Sequence, residues 1–180
     1  MQVYELQDYV KKVPEITALF WLTKIFATTF GETSGDALSM SLNLGYLLST
    51  FIFAGIFISL LYFQIKSKAY KPYLYWATII ASTTVGTTLA DFVDRSLGIG
   101  YLGGSFLLLS LVLISLFSWY RVEGSINPSV VNFPRTQIFY WLTITFSQTL
   151  GTALGDWTSD SAGLGYSGGI WLFGGLILLM

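Results

Sequence analysis

The sequence predicts an all-α membrane protein with six transmembrane helices, arranged as three helical hairpin repeats of parallel topology around a pseudo-rotational axis. Three observations predict it. Of 180 residues, 53% are hydrophobic and only 11% charged, and the mean hydropathy is +0.64; soluble domains carry about 25% charged residues. Apolar runs that can cross a ~30 Å hydrocarbon core, which takes about 20 residues, occur at 16–38, 46–65, 73–93, 101–120, 136–157 and 166–180. These runs also fall into three units that superpose by spacing alone.

Trp21, Trp76 and Trp141 each precede a glycine (Gly31, Gly86, Gly151) by ten residues, and that glycine precedes an aspartate (Asp36, Asp91, Asp156) by five. Nine residues later comes a Gly-Tyr pair: Gly45-Tyr46, Gly100-Tyr101 and Gly165-Tyr166. Thr23, Thr78 and Thr143 coincide as well, as do Thr29, Thr84 and Thr149. Only the linkers differ, with ten extra residues inside "RVEGSINPSVVNFPR". The chain divides into a polar segment 1–13 and hairpins 14–70, 71–126 and 127–180. Each unit holds two spans and starts on the same side of the membrane, so the repeats are parallel, unlike the inverted pairs of many transporters. Tyr166 opens only 15 residues, about 22 Å of helix. The sixth span is therefore short, or the chain continues and a fourth hairpin follows.

The N-terminal "MQVYELQDYVKKVPE" is polar and mixed in charge, unlike a signal or transit peptide. The loops after spans two and four carry Lys66, Lys68, Lys71, Arg121 and Arg135 against Glu123, and the N-terminal segment adds Lys11 and Lys12. The opposite loops hold Asp94, Arg95 and Asp160, so the N-terminus is expected to be cytoplasmic. The three tryptophans, preceded by Phe20, Tyr75 and Tyr140, read as interface anchors or inner-leaflet packing. Gly103-Gly104 and Gly168-Gly169 permit close helix approach and are replaced by Leu48-Ser49 in the first unit. Positions 43, 98 and 163 are Asn, Gly and Gly, residues that tolerate the left-handed conformation beyond a helix end. The first helix of each unit should then run to 42, 97 or 162.

Along that helix the polar residues form a stripe. Thr29, Glu32, Thr33 and Asp36 are spaced i, i+3, i+4, i+7; Thr84, Thr87, Thr88 and Asp91 repeat the pattern, and Thr149, Thr152 and Asp156 repeat it with Ala153 in place of one threonine. The aspartates sit six residues inside the helix end, about 9 Å along it. A charge in the bilayer costs about 3 kcal/mol, so three at one level need polar surroundings, most simply a shared interior.

Two readings compete. In one, threonine and glycine only pack helix to helix, and the aspartates lie near the outer interface paired with Arg95. In the other, the stripes line a cavity for an ion or proton. Asp36, Asp91 and Asp156 would be the metal or proton level, assisted by Glu32, Thr33, Thr87, Thr88 and Thr152, with Thr29, Thr84 and Thr149 lining the way. Carboxylate and hydroxyl oxygens suit Mg²⁺, Mn²⁺ or Ca²⁺. Six acids on the outward side face Arg95 alone, a mouth that attracts cations. Lys24 and Glu32 occur only in the first unit, with Thr28 between them at i, i+4, i+8, as a neutralising or water-bridged pair or a gate, with Lys24 alternatively snorkelling towards the cytoplasm. Arg95 and Asp160 share a repeat position, which suggests a salt bridge between units.

The absence of cysteine and histidine removes disulfides, thiolate chemistry and the usual zinc or copper sites. Intramembrane aspartyl proteases use G-x-G-D, and here the first glycine is missing from "TSGD", "TLAD" and "ALGD". No enzyme and no nucleic-acid partner are expected. "ETSGDA" is partly similar to the E-x-G-D-[KR]-[ST] signature of Mn²⁺/Ca²⁺ exporters, but Glu32 is one residue too far away and the basic residue is absent. The full pattern, W-x9-G-[ET]-[TA]-x-[GA]-D-x8-G-Y after "VPEIT", resembles a largely uncharacterised family of bacterial multi-pass membrane-anchored repeat proteins. That resemblance implies a prokaryotic inner-membrane location and a fourth hairpin beyond Met180. The expected function is a cation channel or transporter for a divalent metal or a proton, with the lipid bilayer as partner. The alternative is a non-transporting scaffold or accessory subunit, as a homo-oligomer or in a larger membrane complex.

Overall fold

A computed structural model describes residues 12–127 and 131–179, which form helices and connecting turns with no strand among the described residues. The α-helices are α1 (Ala18–Asp36), α2 (Tyr46–Lys66), α3 (Pro72–Asp91), α4 (Gly100–Glu123), α5 (Pro134–Asp156) and α6 (Gly165–Leu178). Thr17 starts α1 by accepting a 3.2 Å bond from the Phe20 amide. Pro72 and Pro134 open α3 and α5 at the position where a missing N–H costs nothing. Gly124, at φ 74°, ends α4.

The first helix of every unit widens into a π-helical turn immediately after its repeat aspartate: Ala37–Ser41, Phe92–Ser96 and Trp157–Ser161. Amide-to-carbonyl bonds over five residues close these turns, Leu42 to Ala37 at 2.9 Å, Leu97 to Phe92 at 3.0 Å and Ala162 to Trp157 at 2.8 Å. The chain then reverses through Asn43, Gly98 and Gly163 at φ 55°, 69° and 73°. The helices thus end where the Asn/Gly/Gly alternation places them. The widening itself leaves no trace in a polar stripe, which is why spacing did not reveal it.

The two helices of one unit do not pack along their length. Instead α2 lies on α3 and α4 lies on α5, each second helix covering the first helix of the next unit. First helices also step from α1 to α3 to α5, placing α3 at the centre. Glycines set this step. A Cβ on Gly31 would meet Thr83 Cβ and the Ile80 carbonyl at 2.9 Å, and a Cβ on Gly86 would meet Thr149 Oγ1 at 2.8 Å. Gly151, at the same repeat position, faces open space. Alanine gains up to about 1 kcal/mol of helix propensity over glycine, while overpacking costs about 1–3 kcal/mol. Gly86→Ala should therefore lower the melting temperature in detergent, and Gly151→Ala should leave it unchanged or raise it.

At one end of the bundle Tyr75, Ile79, Trp119, Tyr140 and Trp141 form the main core. The hydroxyls of Tyr75 and Tyr140 meet at 2.6 Å. Of the three repeat tryptophans, Trp141 is core and Trp21 is exposed. A smaller cluster of Ala90, Leu108 and Ala153 lies between α3, α4 and α5. Among the described helices, α2 and α4 are long and apolar enough to cross a membrane, and α6 is apolar but shorter. Most of α2 and α4 is not buried within the chain: Phe51, Ile58, Phe63, Phe106, Ile114 and Phe117 point outward. No residue of α6 is buried; it packs on the turn Trp157–Ser161.

Candidate functional site

Asp91 closes α3 and Arg95 lies four residues on, in the π-helical turn, so both project from one side of the same element. Arg95 Nε lies 3.0 Å from Asp91 Oδ1, an ion pair by distance without the alignment of a hydrogen bond. Its Nη2 donates at 3.3 Å to Asp156 Oδ2, in the next unit. Its Nη1 donates at 3.2 Å to the Tyr46 hydroxyl. The rings of Tyr46 and Tyr101 flank the guanidinium at 6.0 and 5.7 Å, within cation–π range. The Asp91 side chain is 4% exposed, Asp156 23% and Arg95 35%, so the clamp runs from the interior to the surface.

Of the two pairings expected for Arg95, that with the repeat aspartates is observed and that with Asp160 is not. Arg95 reaches back along its own helix to Asp91 and across to Asp156, while Asp160 accepts from the Tyr101 hydroxyl at 3.1 Å. The Gly-Tyr motif thereby acquires a role. The left-handed Gly45 and Gly100 start the second helices, and the tyrosine of each unit reaches the same repeat position of the next: Tyr46 to Arg95, Tyr101 to Asp160.

Asp94 belongs to this end and was missed as a site residue. It is 5% exposed, and neither carboxylate oxygen has a hydrogen-bond partner. It lies against α4 at Gly104, where an added Cβ would collide with the carboxylate. The signal was present in the repeat: Ser39 and Ser49 of the first unit become Asp94 and Gly104 in the second, one residue growing as the other shrinks. Gly104→Ala should destabilise the chain by about 1–3 kcal/mol, and adding Asp94→Ser should reverse this in the same melting assay.

The threonines Thr84, Thr87, Thr88 and Thr149 are buried, and Thr87 meets Thr152 hydroxyl to hydroxyl at 3.4 Å. Several hydroxyls donate back along their own helices, Thr33 to Thr29, Thr84 to Ile80, Thr88 to Thr84 and Thr149 to Thr145. This leaves their lone pairs available to a neighbour. The structure brings the stripes of α3 and α5 together. The α1 stripe is more open: Thr29, Glu32 and Thr33 are exposed and Asp36 is half-buried. Among the described residues no three carboxylates gather into a metal-holding group. The oxygens of Asp91 and Asp156 converge on a guanidinium.

Lys24 does not pair with Glu32, two turns further along α1. Its Nζ donates at 2.5 Å to Gln148 Oε1. That oxygen also accepts from Thr83 at 2.9 Å, and Gln148 Nε2 donates to Ser82 Oγ at 2.5 Å. One amide therefore ties α1, α3 and α5 at a single level. Gln148 was also missed, although it stands where the other units have Thr28 and Thr83.

The sequence profile described as Repeat of Unknown Function (DUF347) matches residues 19–70, 74–125 and 139–180. The chain belongs to this family. No curated protein and no solved structure matches it. Each DUF347 stretch covers one unit: α1 with α2, α3 with α4, α5 with α6. What the DUF347 repeats share is the aspartate, the π-helical turn and the left-handed reversal. Lys24, Arg95 and Gln148 each occur in one DUF347 repeat only, and both polar networks are built around these departures.

Proposed function

We propose that this is a polytopic membrane protein with six spans, arranged around a pseudo-rotational axis with the N-terminus cytoplasmic, that moves a cation or proton through the level of Asp36, Asp91 and Asp156. The bilayer is the one partner this requires. The observation that carries it is the clamp in which one partly exposed guanidinium holds carboxylates of two repeats. Glu32, Asp36, Asp91, Asp94, Asp156 and Asp160 stand at that end against Arg95 alone, which draws in positive charge. An arriving cation or proton competes with Arg95 for Asp91 and Asp156, and the displaced guanidinium keeps the rings of Tyr46 and Tyr101. The outward apolar faces of α2 and α4 support the membrane setting. No chemical step is involved.

The same clamp favours a second reading, a non-transporting scaffold, because Arg95 neutralises two aspartates without any ion. Thermal stability separates the two, measured with Mg²⁺, Mn²⁺, Ca²⁺, Na⁺ or changing pH, in wild type and Asp91→Asn. A ligand bound only by the folded state adds about 2.7 kcal/mol at a hundred times its dissociation constant. Stabilisation of wild type and not of the variant is expected. No response to any ion or to pH would leave the scaffold reading.

A further inference from the structure

At the end of the bundle opposite the carboxylates is a cavity of about 380 Å³. Its walls include Phe20, Trp21, Tyr75, Tyr140, Lys24 and Gln148. Lys24 and Asp36 are twelve residues apart on α1, about 18 Å along the helix, so this is a separate place from the Arg95 clamp. Its size falls within the range of small-molecule sites, and its make-up, aliphatic and aromatic with a few convergent polar groups, is the usual one for such sites.

Charge narrows the occupant. Among the described residues, Lys24 is the one charged side chain in the cavity wall. Its hydrogen-bond partner, Gln148, is neutral, and among the described residues no carboxylate forms an ion pair with it. Gln148 is itself committed to Lys24, Thr83 and Ser82, so it solvates one proton of the ammonium and leaves the charge uncompensated. A partly buried ammonium favours an anion beside it. Aromatic walls favour a flat apolar body, which inorganic anions lack. A cation is repelled.

We propose that this cavity binds a small organic monoanion, an aromatic or similarly flat carboxylate, with the carboxylate on Lys24 Nζ and the body among Phe20, Trp21, Tyr75 and Tyr140. The site does not depend on ion movement past the aspartates, so it stands or falls separately from the transport reading.

The test is calorimetric titration of the purified full chain in detergent, with phenylacetate as probe, phenylacetamide as its neutral analogue and acetate as the same charge without a ring. Phenylacetate should bind saturably and at least about tenfold tighter than either analogue, the order expected of a charge-assisted hydrogen bond plus ring burial. Lys24→Met should remove the preference for phenylacetate over phenylacetamide, and Lys24→Arg should keep it. Ile144→Trp, which fills the cavity from its wall without touching the charge, should abolish binding of both aromatic probes. The comparison of the three probes on wild type needs no variant to fold. The proposal is overturned by equal affinity for phenylacetate and phenylacetamide, by acetate binding as well as phenylacetate, or by no saturable binding of phenylacetate up to about 10 mM.

Discussion

Arg95→Gln should cost about 3 kcal/mol of stability, and Asp91→Asn added to it should return most of that loss. Removing one partner of a buried ion pair costs about 3–5 kcal/mol because the other charge stays behind uncompensated. The lower end applies here, since a third of the Arg95 side chain is in contact with the surroundings while Asp91 is almost wholly enclosed. Arg95→Gln would leave Asp91 and Asp156 facing each other without their shared counter-charge. Neutralising Asp91 removes both the repulsion and the stranded charge. Chemical or thermal denaturation of the four combinations, read as a double-mutant cycle, gives the coupling directly. A loss below about 1 kcal/mol for Arg95→Gln, or additive effects, would mean the clamp is a surface contact.

Gln148→Leu is the second large effect, at about 2–4 kcal/mol, because it strands the Lys24 ammonium and takes a partner from two buried hydroxyls, Thr83 and Ser82, which keep their bonds to the Ile79 carbonyl. The Lys24 ammonium loses its acceptor, the Thr83 hydroxyl loses one of two, and Ser82 loses a donor. Those groups sit on α1 and α3, so separation of the first helices should accompany the loss of stability. Gln148→Glu should behave oppositely, since a carboxylate at that place pairs with Lys24. Its melting temperature should match or exceed that of wild type. A neutral result for Gln148→Leu would show that the amide is not what holds the three helices at this level.

The repeat was legible in the sequence because its landmarks are sterically demanding. Gly31 and Gly86 sit where the next first helix approaches too closely for a Cβ, and Asn43, Gly98 and Gly163 sit where φ is positive. Those constraints are local and recur, so spacing alone reveals them. The apolar runs likewise gave the helices, although among the described helices only α2 and α4 reach the length and hydropathy of a span; the polar stripes dilute α1, α3 and α5.

What stayed hidden depends on neighbours. Nothing in the spacing says that α2 leaves its own hairpin partner and lies on α3, because α2 is apolar on all sides and carries no stripe that marks its neighbour. Of the two pairings the sequence offers Arg95, with the repeat aspartates and with Asp160, the first is the one formed, because Asp91 lies within reach on its own helix. Charge suggests Glu32 as one partner for Lys24, and a neutral amide from α5 is what reaches it. Asp94 and Gln148 were passed over because each is the odd member of its repeat position. In a repeat protein the odd members deserve the first look, since symmetry cannot explain them.

Reconstituted into liposomes at equal protein content, wild type, Asp91→Asn and Asp156→Asn should be compared for proton and cation flux under an imposed gradient. Flux through wild type, lost in both variants while each still inserts and melts cooperatively, is the predicted result. Flux retained in both variants, or none through folded wild type, would contradict a transport role for the aspartate level.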